Sequence, residues 1–251
     1  MSKPKQNKTS VPQLSKQEKR RIEQEKQKQK TKILIISTVA IVVIIFVALF
    51  ILASKDTKKG GTSEEPVSFN YSTLPRLGNE DAPVKIVEFG DFKCPACSQF
   101  TTGIKPKIVQ DFVNEGQAAF YFVNMAFVGP DSETASLAAL SVYHQSNDEF
   151  WKFFDAVYAN QGDESEEWAT EDFLVSLAQK ENLAIDYDLL RKDIKERTYE
   201  DELNSDIQIA RDANVTTTPS LFINGVKTAE PFDYETISAE VKAAAKEAEA
   251  K

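Results

Sequence analysis

The chain has 251 residues and a formal net charge of −9 at pH 7, a length that accommodates one large domain with appendages. Residues 1–32 carry 11 Lys and Arg against 3 Glu, whereas the remainder carries 19 basic and 36 acidic residues. This acidic remainder would repel phosphates, which excludes a nucleic-acid-binding function. A basic head and an acidic body instead indicate two compartments or two partners.

The N-terminal part of the chain predicts a membrane anchor. Residues 1–32 have almost no large apolar side chains, which predicts a disordered basic cytoplasmic tail. Residues 33–53 are nearly all apolar, and as a helix they would span about 30 Å, the hydrocarbon thickness of a bilayer. This run is longer than the apolar core of a cleavable signal peptide, so we predict an uncleaved signal anchor over a cleaved one. The positive-inside rule places the N-terminus in the cytoplasm and everything after Ser54 outside. Residues 54–66 are predicted to be a flexible polar linker.

The domain predicted for residues 67–251 is organised around the stretch 84–97. An apolar, β-branched run predicts a buried strand, a Gly-Asp turn follows it, and apolar residues recur at helical spacing after Cys97. Cys94 and Cys97 are the two cysteines of the chain, which excludes a framework of structural disulfides. A closed zinc site needs about four ligands, and the single histidine, His144, would supply only a third. Two thiols at a strand-to-helix junction therefore indicate a dithiol/disulfide redox site.

The remaining elements predict an α/β domain with an inserted helical block. Residues 67–71 are predicted to form a short first strand, and residues 118–124 are rich in β-forming side chains. Helical periodicity dominates from about 131 to 214. Asn224-Gly225 between two apolar runs predicts a β-hairpin, and a last helix is predicted from about Tyr234.

Two further patterns each have a functional and a structural interpretation. An aromatic stripe over residues 150–158 could line a peptide groove, but most such stripes are core, and we interpret it as core. Acidic clusters could bind Ca²⁺ outside the cell, but EF-hand spacing is absent from the sequence, and we prefer solvated charge. The acidic residues concerned are Asp131, Glu133, Asp163, Glu164, Glu166 and Glu167.

Taken in register, these features resemble the thioredoxin superfamily, and more closely the DsbA-like thiol–disulfide oxidoreductases. The resemblance rests on the strand that leads into Cys94-Pro95-Ala96-Cys97, on the helical insertion and on Thr218-Pro219 before the hairpin. It covers about residues 67–250. The membrane-anchored form is similar to the Gram-positive members called BdbD-like. The resemblance implies a thioredoxin-like fold with an all-helical insertion and, in place of a cofactor, a redox-active disulfide.

The two cysteines are expected to differ in role. Cys94 begins a helix, where free N–H groups and the helix dipole favour a thiolate, so we predict that it is the nucleophile. Lys93 is expected to add positive charge beside it. Cys97, one turn further on, is predicted to be the buried partner that closes the disulfide. A low thiol pKa stabilises the reduced form and makes the disulfide oxidising.

Four other site residues follow from the resemblance. Pro95 and Ala96 occupy the positions between the cysteines, where the strongest oxidants of the family have Pro-His. Ala96 lacks the side chain that stabilises the thiolate in those proteins, so the oxidising strength stays open. Pro219 matches the family's cis-proline, and Thr218 before it matches the residue whose backbone pairs with substrate.

Glu88 has two interpretations. The resemblance implies a buried acid beneath the cysteine pair, with a raised pKa, that carries protons to or from Cys97. Strand alternation alone is equally consistent with a partly exposed polar residue.

The predicted function is a membrane-tethered thiol oxidase that passes its disulfide to unfolded exported proteins. The resemblance implies reoxidation by a DsbB-like quinone-reducing membrane protein. A reductase or disulfide isomerase would use the same Cys94–Cys97 site with the opposite electron flow. A surface chaperone or adhesion module that keeps the fold without turnover is the alternative from another class.

Overall fold

A mixed sheet flanked by helices forms the domain in the computed structural model, which describes residues 66–250. This arrangement confirms the predicted α/β class. The predicted tail, the anchor and nearly all of the linker lie outside the described residues. Within residues 66–250, no helix has the length and apolar character needed to cross a membrane.

The sheet has five strands in the order β1-β3-β2-β4-β5. Strands β2 and β3 are parallel and pair over seven residues each, whereas every other neighbouring pair is antiparallel. Both central strands are almost entirely buried, because a sheet that is covered on both faces requires continuous apolar strands. The strands are β1 Arg76–Leu77, β2 Val84–Gly90, β3 Ala118–Asn124, β4 Ser220–Ile223 and β5 Val226–Lys227.

Five helices, between Pro130 and Asp212, form the insertion between β3 and β4. Three helices of the insertion begin at a side-chain cap, at Ser146, Thr170 and Asp186, each of which accepts a hydrogen bond from an N–H of the first turn. The helices are α1 Pro95–Gly103, α2 Lys105–Ile108 with a π-helical continuation Val109–Val113, α3 Pro130–Gln145, α4 Asn147–Ala159, α5 Glu171–Lys180, α6 Tyr187–Glu196, α7 Glu200–Asp212 and α8 Tyr234–Glu249.

The two faces of the sheet belong to different cores. Alternate residues of β2, such as Ile86, face a large core shared with α1, α4 and α8, which includes the aromatic stripe of residues 150–158. The residues between them, such as Phe89, face a smaller core that contains Phe69 and the end of α7. All the large side chains of the stripe are buried, which confirms its interpretation as core.

The predicted strand at residues 67–71 is wrong. This segment makes one bond to the sheet region, from the N–H of Val67 to the carbonyl of Gly225 at 2.9 Å, and then enters a 3-10 turn at Tyr71–Thr73. The predicted hairpin is confirmed: Asn224 and Gly225 both have positive φ, at 47° and 83°, as a tight two-residue turn requires.

A buried ion pair joins the insertion to the segment before Cys94. The Lys93 side chain is 1% exposed, and its ammonium pairs with the Asp131 carboxylate at the start of α3. The same ammonium donates to the carbonyl of Glu166 at 2.8 Å, and Asp131 also accepts from the N–H of Ala169 at 2.8 Å. One pair of charges therefore holds three segments together.

We predict that Lys93→Met will lower the free energy of unfolding by about 3–5 kcal/mol, because it leaves the Asp131 carboxylate buried without its counter-charge. Urea denaturation followed by tryptophan fluorescence measures this change. Adding Asp131→Asn to Lys93→Met should recover part of the loss, since the unpaired charge is then gone.

Lys192→Met is the matched control. Lys192 and Glu196 lie 3.9 Å apart with side chains 62% and 61% exposed, and an exposed pair of this kind contributes less than about 1 kcal/mol. Equal losses for the Lys93 and Lys192 variants would contradict the structural role of the buried pair.

Candidate active site

The two cysteines lie at the start of α1, directly after the turn that follows β2. Cys94 is the N-cap residue and Pro95 occupies the first helical turn, where its missing N–H costs no hydrogen bond. Both cysteines are thiols in this structure. Cys94 is 8% exposed and Cys97 is fully buried, so Cys94 is the thiol that a partner can reach.

The environments of the two thiols separate their pKa values. A hydrogen bond from the Cys97 side chain is the main cause that lowers the pKa of Cys94 to about 6, and the backbone N–H groups of Cys97 and Ala96 add to it against the effect of burial. Burial is the main cause that raises the pKa of Cys97 far above its ordinary value, and the neighbouring Cys94 and Glu88 raise it further. At neutral pH Cys94 is thus largely a thiolate and Cys97 a thiol.

The origin of the Cys94 pKa corrects the expectation for Lys93. The Lys93 ammonium points to Asp131 and Glu166 rather than to the Cys94 sulfur. The thiolate is stabilised by hydrogen bonds at the helix start instead. Ala96 takes part through its N–H although its side chain contributes nothing.

Thr218-Pro219 lies opposite the cysteines, as the resemblance implies. The peptide bond between them is cis. The carbonyl oxygen of Thr218 is 3.5 Å from the Cys94 sulfur, and β4 begins directly after Pro219. The tertiary structure thus brings together two segments that are 124 positions apart in the chain.

Glu88 is fully buried in the middle of β2, which excludes the partly exposed interpretation. Neither carboxylate oxygen has a hydrogen-bond partner among the described residues. Burial raises the pKa of Glu88 to about 8, and the positive charge of Lys105 opposes this shift. Glu88 is therefore protonated in most molecules at neutral pH, next to a thiol whose pKa it raises.

Lys105 and Asp155 are site residues that the sequence reasoning missed. The Lys105 side chain is buried and pairs with Asp155, whose own side chain is half exposed. The ammonium lies 4.8 Å from the ring centroid of Phe154 and 5.3 Å from that of Trp151. No spacing in the sequence relates these residues to Glu88, because α2, α4 and β2 meet only in the tertiary structure.

Asp91 and Gln161 hold the loop that carries Cys94, and both were also missed. Asp91 accepts from the N–H groups of Phe127 and Val128 at 2.8 and 2.9 Å. The Gln161 amide donates to the carbonyls of Phe92 and Cys94 at 2.9 and 3.0 Å. The position of Asp91 in a Gly-Asp turn was the available signal, since Asp side chains commonly bond to backbone N–H groups in turns.

Of the six acidic residues considered for Ca²⁺, Asp131 and Glu133 have salt-bridge partners, and the other four are exposed, as expected for solvated charge. Asp131 is buried and paired with Lys93, so the interpretation as solvated charge is wrong for it. Glu133 pairs with Arg197 at 2.6 Å. Among residues 66–250, no group of three His, Cys, Asp or Glu side chains is arranged to hold a metal ion.

Comparison with known proteins agrees with this geometry. A family model described as Thioredoxin matches residues 71–243. A probable disulfide bond formation protein D of Bacillus cereus is 38% identical over 165 residues, which cover 66% of this chain and 76% of the relative.

Solved structures give the same result. The crystal structure of oxidised BdbD from Bacillus subtilis is similar with a TM-score of 0.68 at 33% identity, over 72% of this chain and 96% of that one. DsbA of Chlamydia trachomatis shares the fold with a TM-score of 0.63 at 23% identity, over 71% of this chain and 93% of that one. Together with the paired cysteines and the opposing cis-proline, these similarities place the chain in the thioredoxin superfamily, where it belongs to the DsbA-like thiol–disulfide oxidoreductases.

Proposed function

We propose that this oxidoreductase works as an extracytoplasmic oxidase, which donates the Cys94–Cys97 disulfide to exported proteins. The observation that carries the proposal is the asymmetry of the two thiols: Cys94 is a stabilised thiolate, whereas Cys97 is buried and holds its proton. A stabilised thiolate favours the reduced form of the pair, so the disulfide gives up its oxidising equivalents readily.

The reaction follows from which sulfur is accessible. A substrate thiolate attacks the Cys94 sulfur, the Cys94–Cys97 bond breaks, and its electron pair remains on Cys97, which takes up a proton. A second substrate thiolate then attacks the substrate sulfur of the mixed disulfide. Cys94 leaves as a thiolate, so the substrate gains a disulfide and the pair has gained two electrons.

Two neighbouring groups have proposed roles in these steps. Glu88 supplies the proton that Cys97 takes up and accepts it again during reoxidation, since it is buried with a pKa of about 8 and is near enough to Cys97 to raise the pKa of that thiol. Thr218 and Pro219 form the wall along which an extended substrate segment lies, because the Thr218 carbonyl faces the Cys94 sulfur.

Cellular location and partners complete the proposal. We propose that residues 33–53 anchor the chain in the cell membrane with the N-terminus in the cytoplasm, because that run is long, apolar and flanked by basic residues. Unfolded exported proteins are then the substrates. The relatives named disulfide bond formation protein D support an oxidising role, and a DsbB-like quinone-reducing membrane protein is the proposed source of oxidising equivalents.

We predict that Cys97→Ala will raise the pKa of Cys94 from about 6 toward the ordinary thiol value of about 8.5, because the substitution removes the main hydrogen bond to the thiolate. The ultraviolet absorbance of the thiolate, followed against pH in the reduced protein, measures this pKa. Cys94→Ala is the control and should show no thiolate at neutral pH, because Cys97 holds its proton.

We predict that the Cys94–Cys97 pair has a reduction potential clearly above that of thioredoxin, about −270 mV. Equilibration of the full-length protein with glutathione buffers measures it. The oxidised protein should form disulfides in a reduced, unfolded substrate, and Cys94→Ser should abolish this activity. A potential near that of thioredoxin would favour the reductase alternative, and unchanged function of Cys94→Ser in cells would favour the chaperone alternative.

We predict that protease added to intact cells from which the wall has been removed will digest the domain after Ser54 and spare cytoplasmic marker proteins. An epitope tag at the N-terminus should stay protected, because the anchor holds it on the cytoplasmic side. Protection of the domain under conditions that digest a known surface protein would refute the proposed topology.

A further inference from the structure

The hydroxyl of Tyr158 is a buried polar group that has no role in the mechanism above. Tyr158 lies in the last turn of α4 and is buried. Its hydroxyl has no hydrogen-bond partner among the described residues, and neither have the two carboxylate oxygens of Glu88. Buried polar atoms are nearly always partnered in folded proteins, so the unpartnered state of these two groups requires an explanation.

The position of this hydroxyl is set by a glycine of β2. A Cβ atom on Gly90 would lie 3.1 Å from the Tyr158 hydroxyl oxygen and 2.6 Å from the Phe122 ring. The absence of a side chain at Gly90 thus lets the hydroxyl approach the sheet. Residues two apart on a strand point to the same face, so the hydroxyl lies on the face of β2 from which the Glu88 side chain projects.

Cys97 lies on the same side of the sheet. It shares a hydrophobic core with Tyr158 and Phe122, and Phe122 is the register partner of Glu88 on β3. Burial raises the pKa of Tyr158 well above its usual range, with further increases from the charges of Cys97 and Glu88. Tyr158 is therefore neutral during the reaction, and its hydroxyl can donate one hydrogen bond while it accepts another.

The Tyr158 ring has little freedom to move. It stacks on Phe92 with a centroid distance of 5.2 Å and meets the edge of Phe154 at 4.9 Å. The backbone is also tied to α1, because the Ser98 hydroxyl donates to the Tyr158 carbonyl at 3.0 Å. The ring is consequently fixed, and its hydroxyl is held at a defined place against Gly90 of β2.

We propose that Tyr158 is a catalytic residue of the exchange reaction, whose hydroxyl bridges Glu88 and Cys97 by relaying a proton between them while Cys97 gains or loses its proton. When the Cys94–Cys97 bond breaks, Tyr158 gives its hydroxyl proton to the Cys97 sulfur and takes the carboxyl proton of Glu88. Tyr158 ends neutral, Cys97 is a thiol, and Glu88 is a carboxylate that regains a proton from solvent. This inference rests on the proton-donor role proposed for Glu88.

Tyr158→Phe tests the bridge, because it removes the hydroxyl and keeps the ring packing. The rate at which oxidised full-length protein reacts with a small thiol is measured by stopped flow between about pH 5 and about pH 9. In the wild type the rate per thiolate, obtained by dividing by the ionised fraction of the small thiol at each pH, should fall as Glu88 loses its proton near its pKa of about 8. Tyr158→Phe should lower the rate at neutral pH by about a hundredfold and flatten this dependence, since general acid catalysis typically contributes about 10²–10⁴-fold.

Tyr121→Phe is the matched control. Tyr121 is equally buried and its hydroxyl is also unpartnered, but it belongs to the other core, on the opposite face of the sheet. Loss of an unpartnered hydroxyl costs little stability, so both variants should fold. Only the Tyr158 variant should change the pH profile, whereas an equal change in both would overturn the proposal.

Glu88→Gln, alone and with Tyr158→Phe, separates the two proposals. If Tyr158 relays the proton of Glu88, the double variant should react at the rate of Glu88→Gln alone, because no proton from Glu88 is then available for Tyr158 to relay. If the pH dependence of the rate is unchanged in Tyr158→Phe but altered in Glu88→Gln, the proposal for Tyr158 is overturned and the proposed role of Glu88 is retained. An unchanged profile for Glu88→Gln would overturn both, and independent, multiplicative effects would also overturn the bridge.

Discussion

The buried ion pair between Lys93 and Asp131 is the interaction on which the active site depends. It lies at the point where the turn before Cys94 meets the first residues of the helical insertion. The free-energy cost of removing two charges from water is offset only when both stay paired and hydrogen-bonded. Here Lys93 also donates to the Glu166 carbonyl, and Asp131 also accepts from the Ala169 N–H. These contacts hold the insertion against the loop that carries Cys94.

The two thiols differ in burial, and this difference gives them different pKa values and different roles. Cys94 sits at the helix start, where backbone N–H groups and its partner thiol stabilise negative charge. Cys97 and Glu88 are fully buried, and burial favours their protonated forms. The same low polarity makes Cys97 a poor leaving group as a thiolate and keeps a proton on Glu88, so one physical cause creates the need for a proton at Cys97 and retains one on a neighbouring carboxyl. Gly90 has no side chain, so the Tyr158 hydroxyl can approach the face of β2 from which Glu88 projects.

Individual elements show how far sequence reasoning reached. Strand β2 and the hairpin at Asn224-Gly225 were predictable, because a continuous apolar run and a positive-φ turn pair express local physics. The strand at residues 67–71 was wrong, since its composition suits a strand but only one hydrogen bond to Gly225 forms there. The expectation for Lys93 was wrong for a related reason. Its position beside Cys94 suggested that it stabilises the thiolate, but its long side chain reaches Asp131, 38 positions away.

The sequence by itself determined the α/β class, the cysteine pair at a strand-to-helix junction and, through the resemblance, the residues opposite it. The α/β class and the position of the cysteine pair depend on residues within a few positions of one another. The residues opposite the pair were found through a resemblance that extends over most of the chain. Only the tertiary structure decided that Glu88 is fully buried, that the charge of Lys105 acts on it and that the Tyr158 hydroxyl lies against Gly90, two residues further along the same strand. Burial and long-range charge arise from contacts between distant segments, and periodicity along one strand or helix does not specify which segments those are.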